Sequence, residues 1–155
     1  MAHHNTIKAN SYQGLIQRLN RFPLGAPPAE LLSKILKVLF SEKEARLVSL
    51  LPIKPFTGKK AAAIWRMSFS EARVILNDLA DRGILLDYES EKTTTYILPP
   101  PMAGFFEFSL MRYREDINQK VLSELFYQYI NVEEDFIKNL FLKGETQLGR
   151  VFVNE

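Results

Sequence analysis

The sequence predicts a mainly helical fold with one small β-hairpin: a winged helix-turn-helix with extra helices before and after it. Three observations carry this. Residues 57–98 read, in order, as a capped helix, a tight break, a second capped helix, a glycine, a strand, a polar turn and a strand. Outside that segment, apolar residues recur at helical spacing. The composition, 46% hydrophobic and 25% charged over 155 residues, is that of a chain able to bury a core rather than a disordered one.

From the N-terminus, Tyr12, Leu15, Ile16 and Leu19 share one face of a helix over 10–21, which Pro23 ends. Gly25-Ala26-Pro27-Pro28 reads as a linker. A second helix starts near Pro28, with the stripe Leu31, Leu32, Ile35, Leu36, Leu39 and Phe40. Ser41 opens a third. Ser41-x-x-Glu44 is a capping box, in which hydroxyl and carboxylate each satisfy a backbone N–H of the other residue. Leu47, Val48, Leu50 and Leu51 form its stripe, and residues 52–55 stop it. All three stripes are read as core packing.

Thr57 caps a short helix running to about Met67, whose small body is Ala61, Ala62, Ala63, Ile64 and Trp65. Ser68-x-x-Glu71 is a second capping box and opens a helix over 68–82 that buries Phe69, Ala72, Ile75, Leu76 and Leu79. Gly83 stands where a left-handed residue closes a helix. A hairpin over 84–98 follows: Ile84, Leu85 and Leu86 lead to Tyr88, residues 89–92 make a polar turn, and the Thr-rich run 93–98 is the second strand.

Pro99-Pro100-Pro101 reads as a stiff extended spacer. It divides the chain into an N-terminal tail and helix (1–27), a winged-helix region (28–98), and an aromatic spacer with a helical extension (99–155), all packed as one unit. Gly104-Phe105-Phe106-Glu107-Phe108-Ser109-Leu110-Met111-Arg112 is unusually aromatic, and its phenylalanines stand too close together for all to face one way. A long amphipathic helix over 114–130 carries Ile117, Val121, Leu125, Phe126 and Tyr129. Phe105, Phe106, Phe108, Phe126 and Tyr129 are candidates for a protein interface, unless their rings close the core instead. Asn131-x-x-Glu134 resembles a capping box before a helix with Phe136, Ile137, Leu140 and Phe141 that Gly144 ends. Val151-Phe152-Val153 reads as a strand.

Nucleic acid is the partner this topology raises first. The helix over 68–82 turns Ser70, Arg73, Val74 and Asn77 outward, and Arg and Asn are suitable base readers. Lys59, Lys60 and Arg66 form a basic cluster on the preceding helix. The charge balance opposes DNA. Three acids against two arginines leave 68–82 at net −1, and Asp87, Glu89 and Glu91 against Lys92 leave the wing at net −2. Phosphate contacts supply most nucleic-acid affinity, and the whole chain carries only +2. DNA binding is expected to be weak and salt-sensitive.

Other chemistry is excluded by what the chain lacks. With no cysteine it holds no disulfide, thiol nucleophile or cysteine-ligated zinc or iron–sulfur site. His3 and His4 have no third ligand near in sequence and no triad partners. Glu133-Glu134-Asp135 is read as acids favoured by a helix start rather than as a paired-carboxylate site. There is no glycine-rich phosphate loop. A non-enzymatic chain is expected, with no catalytic, cofactor or metal residues. Residues 1–10 are polar and no apolar run approaches the roughly 20 residues of a membrane span, so the expected location is the cytoplasm.

Three stretches carry a family resemblance: Arg21-Phe22-Pro23-Leu24-Gly25-Ala26-Pro27-Pro28-Ala29, Leu39-Phe40-Ser41-Glu42-Lys43-Glu44-Ala45, and the aromatic run from Gly104 through Arg112. The chain resembles the N-terminal winged-helix region of bacterial and archaeal proteins that also carry a C-terminal 4Fe-4S ferredoxin-type region. The resemblance spans about 12–141. It implies that this chain is the first part of a longer redox protein, with a 4Fe-4S cluster in the following region. Members bind that cluster on Cys-x-x-Cys motifs, and no ligand carries over to a chain without cysteine.

Two readings follow. One is an interaction or sensory module of an iron–sulfur protein, contacting its own C-terminal region or a second copy. The other is a winged-helix transcriptional regulator of the small dimeric kind. Continuation of the reading frame past Glu155 into clustered cysteines would favour the first, and a stop codon there the second.

Overall fold

The structure, a computed structural model, describes residues 2–22, 25–90, 93–101, 104, 106–111 and 114–131, with residues 2–10 described by backbone alone. The described residues form seven helices and one small antiparallel sheet of three strands.

Helix α1 (Ala2–Leu19) begins earlier than its apolar stripe suggests. Tyr12, Leu15, Ile16 and Leu19 are buried as that stripe requires. The helix packs on α3 (Glu42–Ser49). The sequence gives no warning of Arg18, which is also fully buried on this face. Its Nε donates to the Leu51 carbonyl at 3.0 Å and its Nη2 to the Pro52 carbonyl at 2.7 Å. These carbonyls lie just past the C-terminal end of α3, the end of a helix that favours a cation. Burial, with Arg21 nearby, lowers the guanidinium pKa to about 10.

Helix α2 (Glu30–Leu39) starts two residues after Pro28. Its residues Leu32, Ile35, Leu36 and Leu39 are buried, as is Phe40 just beyond, while Leu31 is half-buried. The α3 capping box forms as read: Glu44 N–H donates to Ser41 Oγ, and Ser41 N–H donates to the Glu44 carboxylate at 2.7 Å. Leu50 corrects the expected stripe. It is 54% exposed, because it falls to one side of the face that Leu47, Val48 and Leu51 share.

Thr57 caps α4 (Gly58–Trp65), its Oγ1 accepting from Lys60 N–H at 3.3 Å. Trp65 Nε1 donates to the Leu47 carbonyl at 2.8 Å and ties α4 to α3. Arg66 closes α4 in the left-handed region, φ 55° and ψ 45°. Two residues later the Ser68–Glu71 capping box opens α5 (Phe69–Asp81). Ala72, Leu76 and Leu79 are buried and Ile75 half-buried. Gly83 ends the unit at φ 72°, and the N–H groups of Ile84 and Leu85 fold back onto the Leu79 carbonyl. Arg82 locks this corner. Its Nη1 donates to the Leu39 carbonyl, and its Nη2 pairs with Glu44, the carboxylate that also serves the α3 cap.

Strand β1 (Phe56–Thr57) was not legible in the sequence. It is two residues long, too short for an alternation, and abuts Pro55 and the α4 cap. Strands β2 (Leu86–Ser90) and β3 (Thr93–Ile97) form the expected hairpin, and the sheet order is β1-β3-β2. The expected polar turn is shorter than four residues: Glu89 and Ser90 pair with Thr94 and Thr93, so only residues 91 and 92 lie between the strands.

The proline run, read as a stiff extended spacer, packs against the fold. Pro99 and Pro101 are buried, and a Cβ on Gly104 would sit 2.3 Å from Pro99. The chain turns back through α6 (Phe106–Met111) and α7 (Gln119–Asn131), which packs on α2. Helix α7 starts five residues later than the expected 114, after an Arg114–Asp116 ion pair and with Asn118 Oδ1 accepting from Val121 N–H. Its buried residues are Leu122, Phe126 and Tyr129. Val121, expected in the stripe, is 42% exposed, since the spacing from Leu122 through Phe126 to Tyr129 sets the face one residue on. The Asn131-x-x-Glu134 box, Glu133-Glu134-Asp135, the helix with Phe136, Ile137, Leu140, Phe141 and Gly144, the Val151-Phe152-Val153 strand, and the side chains of His3 and His4 lie outside the described residues.

Candidate interaction groove

The outward face of α5 is as the sequence placed it: Ser70, Arg73, Val74 and Asn77 are all exposed, as are Lys59, Lys60 and Arg66 on or beside α4. Between these helices and the hairpin runs a groove of about 410 Å³. Thr57, Gly58 and Lys59 line it at the start of α4, Phe69 and Arg73 along α5, and Glu89, Thr94 and Tyr96 on the hairpin. Of the candidate nucleic-acid contacts, Lys59 and Arg73 are brought together here. Lys60, Arg66, Ser70 and Asn77 are exposed but do not line the groove.

Phe69 is the residue that sequence reasoning misplaced. It is 47% exposed rather than part of the core. It is the first residue of α5, before the buried stripe begins, and its ring lies against Gly58, where an added Cβ would meet it at 2.9 Å. The missing side chain at Gly58 lets the ring lie low and leaves room above it.

The register of the hairpin sets the electrostatics. Asp87 pairs with Tyr96, and Glu89 with Thr94. Directly paired residues share a face of an antiparallel sheet, so both carboxylates stand on the face from which Tyr96 reaches α5. Burial raises the Tyr96 phenol pKa, and of the charges around it Arg73 lowers it while Asp87 and Glu89 raise it. Acids on the hairpin and an arginine on α5 therefore act on the same phenol from opposite walls. The other sheet face carries Leu86 and Tyr88, 42% and 72% exposed.

Asn77 is exposed and tied to the hairpin. Its Oδ1 accepts from Tyr96 Oη at 2.7 Å. Bidentate recognition of adenine uses both the oxygen and the nitrogen of the amide, so a base would share the oxygen, through its second lone pair, with Tyr96.

The candidate protein-interface residues lie elsewhere, and the described ones are largely turned inward. Phe106 and Phe126 meet edge-to-face with centroids 4.8 Å apart, and Phe106 and Tyr129 at 6.4 Å. All three are at most 3% exposed, and Tyr129 Oη donates to the Pro27 carbonyl at 2.7 Å. The rings found partners within the chain, so these three offer no surface. Phe108 is half-buried, and Phe105 lies outside the described residues. The exposed apolar residues of this part are others: Leu110, Met111, Val121 and Tyr127.

A 4Fe-4S cluster is held by thiolates. The chain has no cysteine, and among the described residues no three His, Asp or Glu side chains are placed to hold a metal ion. These residues do not fit such a group. Among the described residues no helix is long and apolar enough to cross a membrane. Comparison with known proteins gives no match to a family model, a curated protein or a solved structure.

Proposed function

We propose that this chain is a non-catalytic interaction module built on a winged helix, and that α5 and the hairpin form its working face. The order β1, α4, α5, β2, β3 and the sheet order β1-β3-β2 support the winged-helix reading. The single observation that carries the functional reading is the charge across the groove: Glu89 on the hairpin lines it with Arg73 on α5, and Asp87 stands on the same sheet face as Glu89. A DNA backbone lying against α5 would bring phosphates to Asp87 and Glu89, and phosphate contacts are where nucleic-acid affinity comes from. A protein surface of mixed charge has no such conflict. The iron–sulfur resemblance adds the proposal that the module serves a longer redox protein, which the reading frame beyond Glu155 tests directly.

The second reading, a DNA-binding regulator, draws on the exposed Lys59, Lys60, Arg66 and Arg73. Anisotropy titration with labelled duplexes at physiological salt separates the two. The expected result is no sequence preference and a Kd no tighter than the roughly 10⁻⁶ to 10⁻⁴ M of non-specific binding. Reversing the hairpin charge with Asp87→Lys and Glu89→Lys should then strengthen DNA binding. Sub-micromolar, sequence-selective binding lost on Arg73→Ala would overturn the interaction-module reading.

A further inference from the structure

We propose that the groove between α5 and the hairpin receives an extended protein segment in which a basic side chain stands next to an apolar one. The cation meets Glu89, the apolar side chain covers Phe69, and carbonyls of the segment face Lys59 and Arg73. This rests on the interaction-module reading and specifies its partner.

The two walls of the groove have opposite chemistry. On the helix wall Lys59 and Arg73 can only donate. Thr57 Oγ1, on the same wall, already accepts from Lys60 N–H. On the hairpin wall Glu89 can only accept, as can Asp87 two residues along the same sheet face. Among the described residues neither acid forms an ion pair, and neither do Lys59 and Arg73. Both signs of charge are thus left unspent across one groove. A nucleic-acid backbone satisfies the helix wall and is repelled by the hairpin. A polypeptide satisfies both, because it carries carbonyl acceptors at every residue and can add a cation where the acids are.

Two further features favour a polypeptide. Phe69 presents an aromatic face at 47% exposure between the charged walls, and such a ring gains most by being covered by an apolar side chain. Strand β2 is the outer strand of the sheet, so its free edge presents backbone groups that no described strand pairs with. Strand addition at such an edge is a common way to bind an extended segment. The groove volume of about 410 Å³ is that of a site for a few side chains.

The test pans the whole chain against a library of random short peptides and, separately, against a pool of random short duplexes. Enriched peptides are expected to place Lys or Arg one or two positions from Leu, Ile, Val, Met or Phe. Their affinity should fall about tenfold or more on Glu89→Lys and on Phe69→Ser, which is the scale of losing one well-buried contact. It should be unchanged on Tyr127→Ser, at an exposed site on α7. Bound peptide should slow amide exchange across residues 86–90. Both groove substitutions are at exposed positions, and matching thermal melts confirm that the variants fold. Failure to enrich any peptide, enrichment of acidic peptides, or binding that survives both substitutions overturns the proposal while leaving the interaction-module reading standing. Selection of specific duplexes lost on Arg73→Ala overturns both.

Discussion

Two groups of aromatic side chains in this chain, Phe106, Phe126 and Tyr129 on one hand and Phe69 and Tyr88 on the other, are used in opposite ways. In α6 and α7, Phe106, Phe126 and Tyr129 are 3%, 2% and 0% exposed. Around α5 and the hairpin, Phe69 and Tyr88 are 47% and 72% exposed. The run around Phe106 is the denser in sequence and looked the better candidate for a binding surface. Density proved a poor guide, because clustered rings supply one another with partners: each ring of the α6–α7 group meets another edge-to-face. Phe69 stands alone beside a glycine, with nothing to close over it. What exposes an aromatic is the lack of a neighbour, and neighbours come from tertiary approach.

Substitution at one ring from each part is the sharpest way to break this comparison. Phe126→Ala should cost about 3–5 kcal/mol of unfolding free energy, while Phe69→Ser should stay within about 0.5 kcal/mol. Urea titrations of the two variants measure this, and equal costs would erase the distinction. Next in size, Tyr129→Phe leaves the buried Pro27 carbonyl without its donor and should cost about 1–3 kcal/mol with little change in packing.

The α5 side should depend more on local caps than on buried rings. Ser68→Ala removes the hydroxyl that accepts from Glu71 N–H and should cost about 1 kcal/mol. It should also flatten the acid limb of the stability profile. Hydrogen bonds from Ser68 hold the Glu71 carboxyl below its ordinary value of 4.5. Their contribution is therefore present above that value and lost as pH falls through the lowered one.

The smallest effect belongs to Tyr96. Burial raises its phenol above the ordinary 10.0, so the unfolded chain ionises first. The contribution is full below pH 10 and declines as pH rises through the raised value. Thermal melts from neutral to alkaline pH should show a shallower decline in Tyr96→Phe than in the unsubstituted chain. Tyr12, shifted in the same direction by burial, accounts for a decline that persists in the variant.

What the sequence made legible is what depends on neighbours in the chain. Both capping boxes, the Thr57 cap, the left-handed Gly83 and the hairpin are each specified within a few residues, and all are found. What it concealed spans longer separations. Arg18 looks like a surface residue until Leu51 and Pro52, 33 and 34 positions away, take its guanidinium. Asn77 looks unpartnered until Tyr96, 19 positions on, donates to its oxygen. The site was half legible for the same reason. Arg73 and the acids of the hairpin were visible as charges, but their standing on opposite walls of one groove depends on strand register and helix packing.

The buried proline run has a consequence for experiments on motion. Residues 99–101 carry no backbone N–H, so at the buried Pro99 and Pro101 the passage from β3 toward α6 brings no donor into the interior for the fold to satisfy. The same absence makes that passage silent to amide hydrogen exchange. A protection map of this protein will show a gap there, with β3 on one side and α6 and α7 on the other. If the two sides exchange at one common rate, the silent link is transmitting cooperativity between them. If α6 and α7 exchange sooner, the C-terminal helices open as a unit of their own while the helices and sheet that form the groove stay closed.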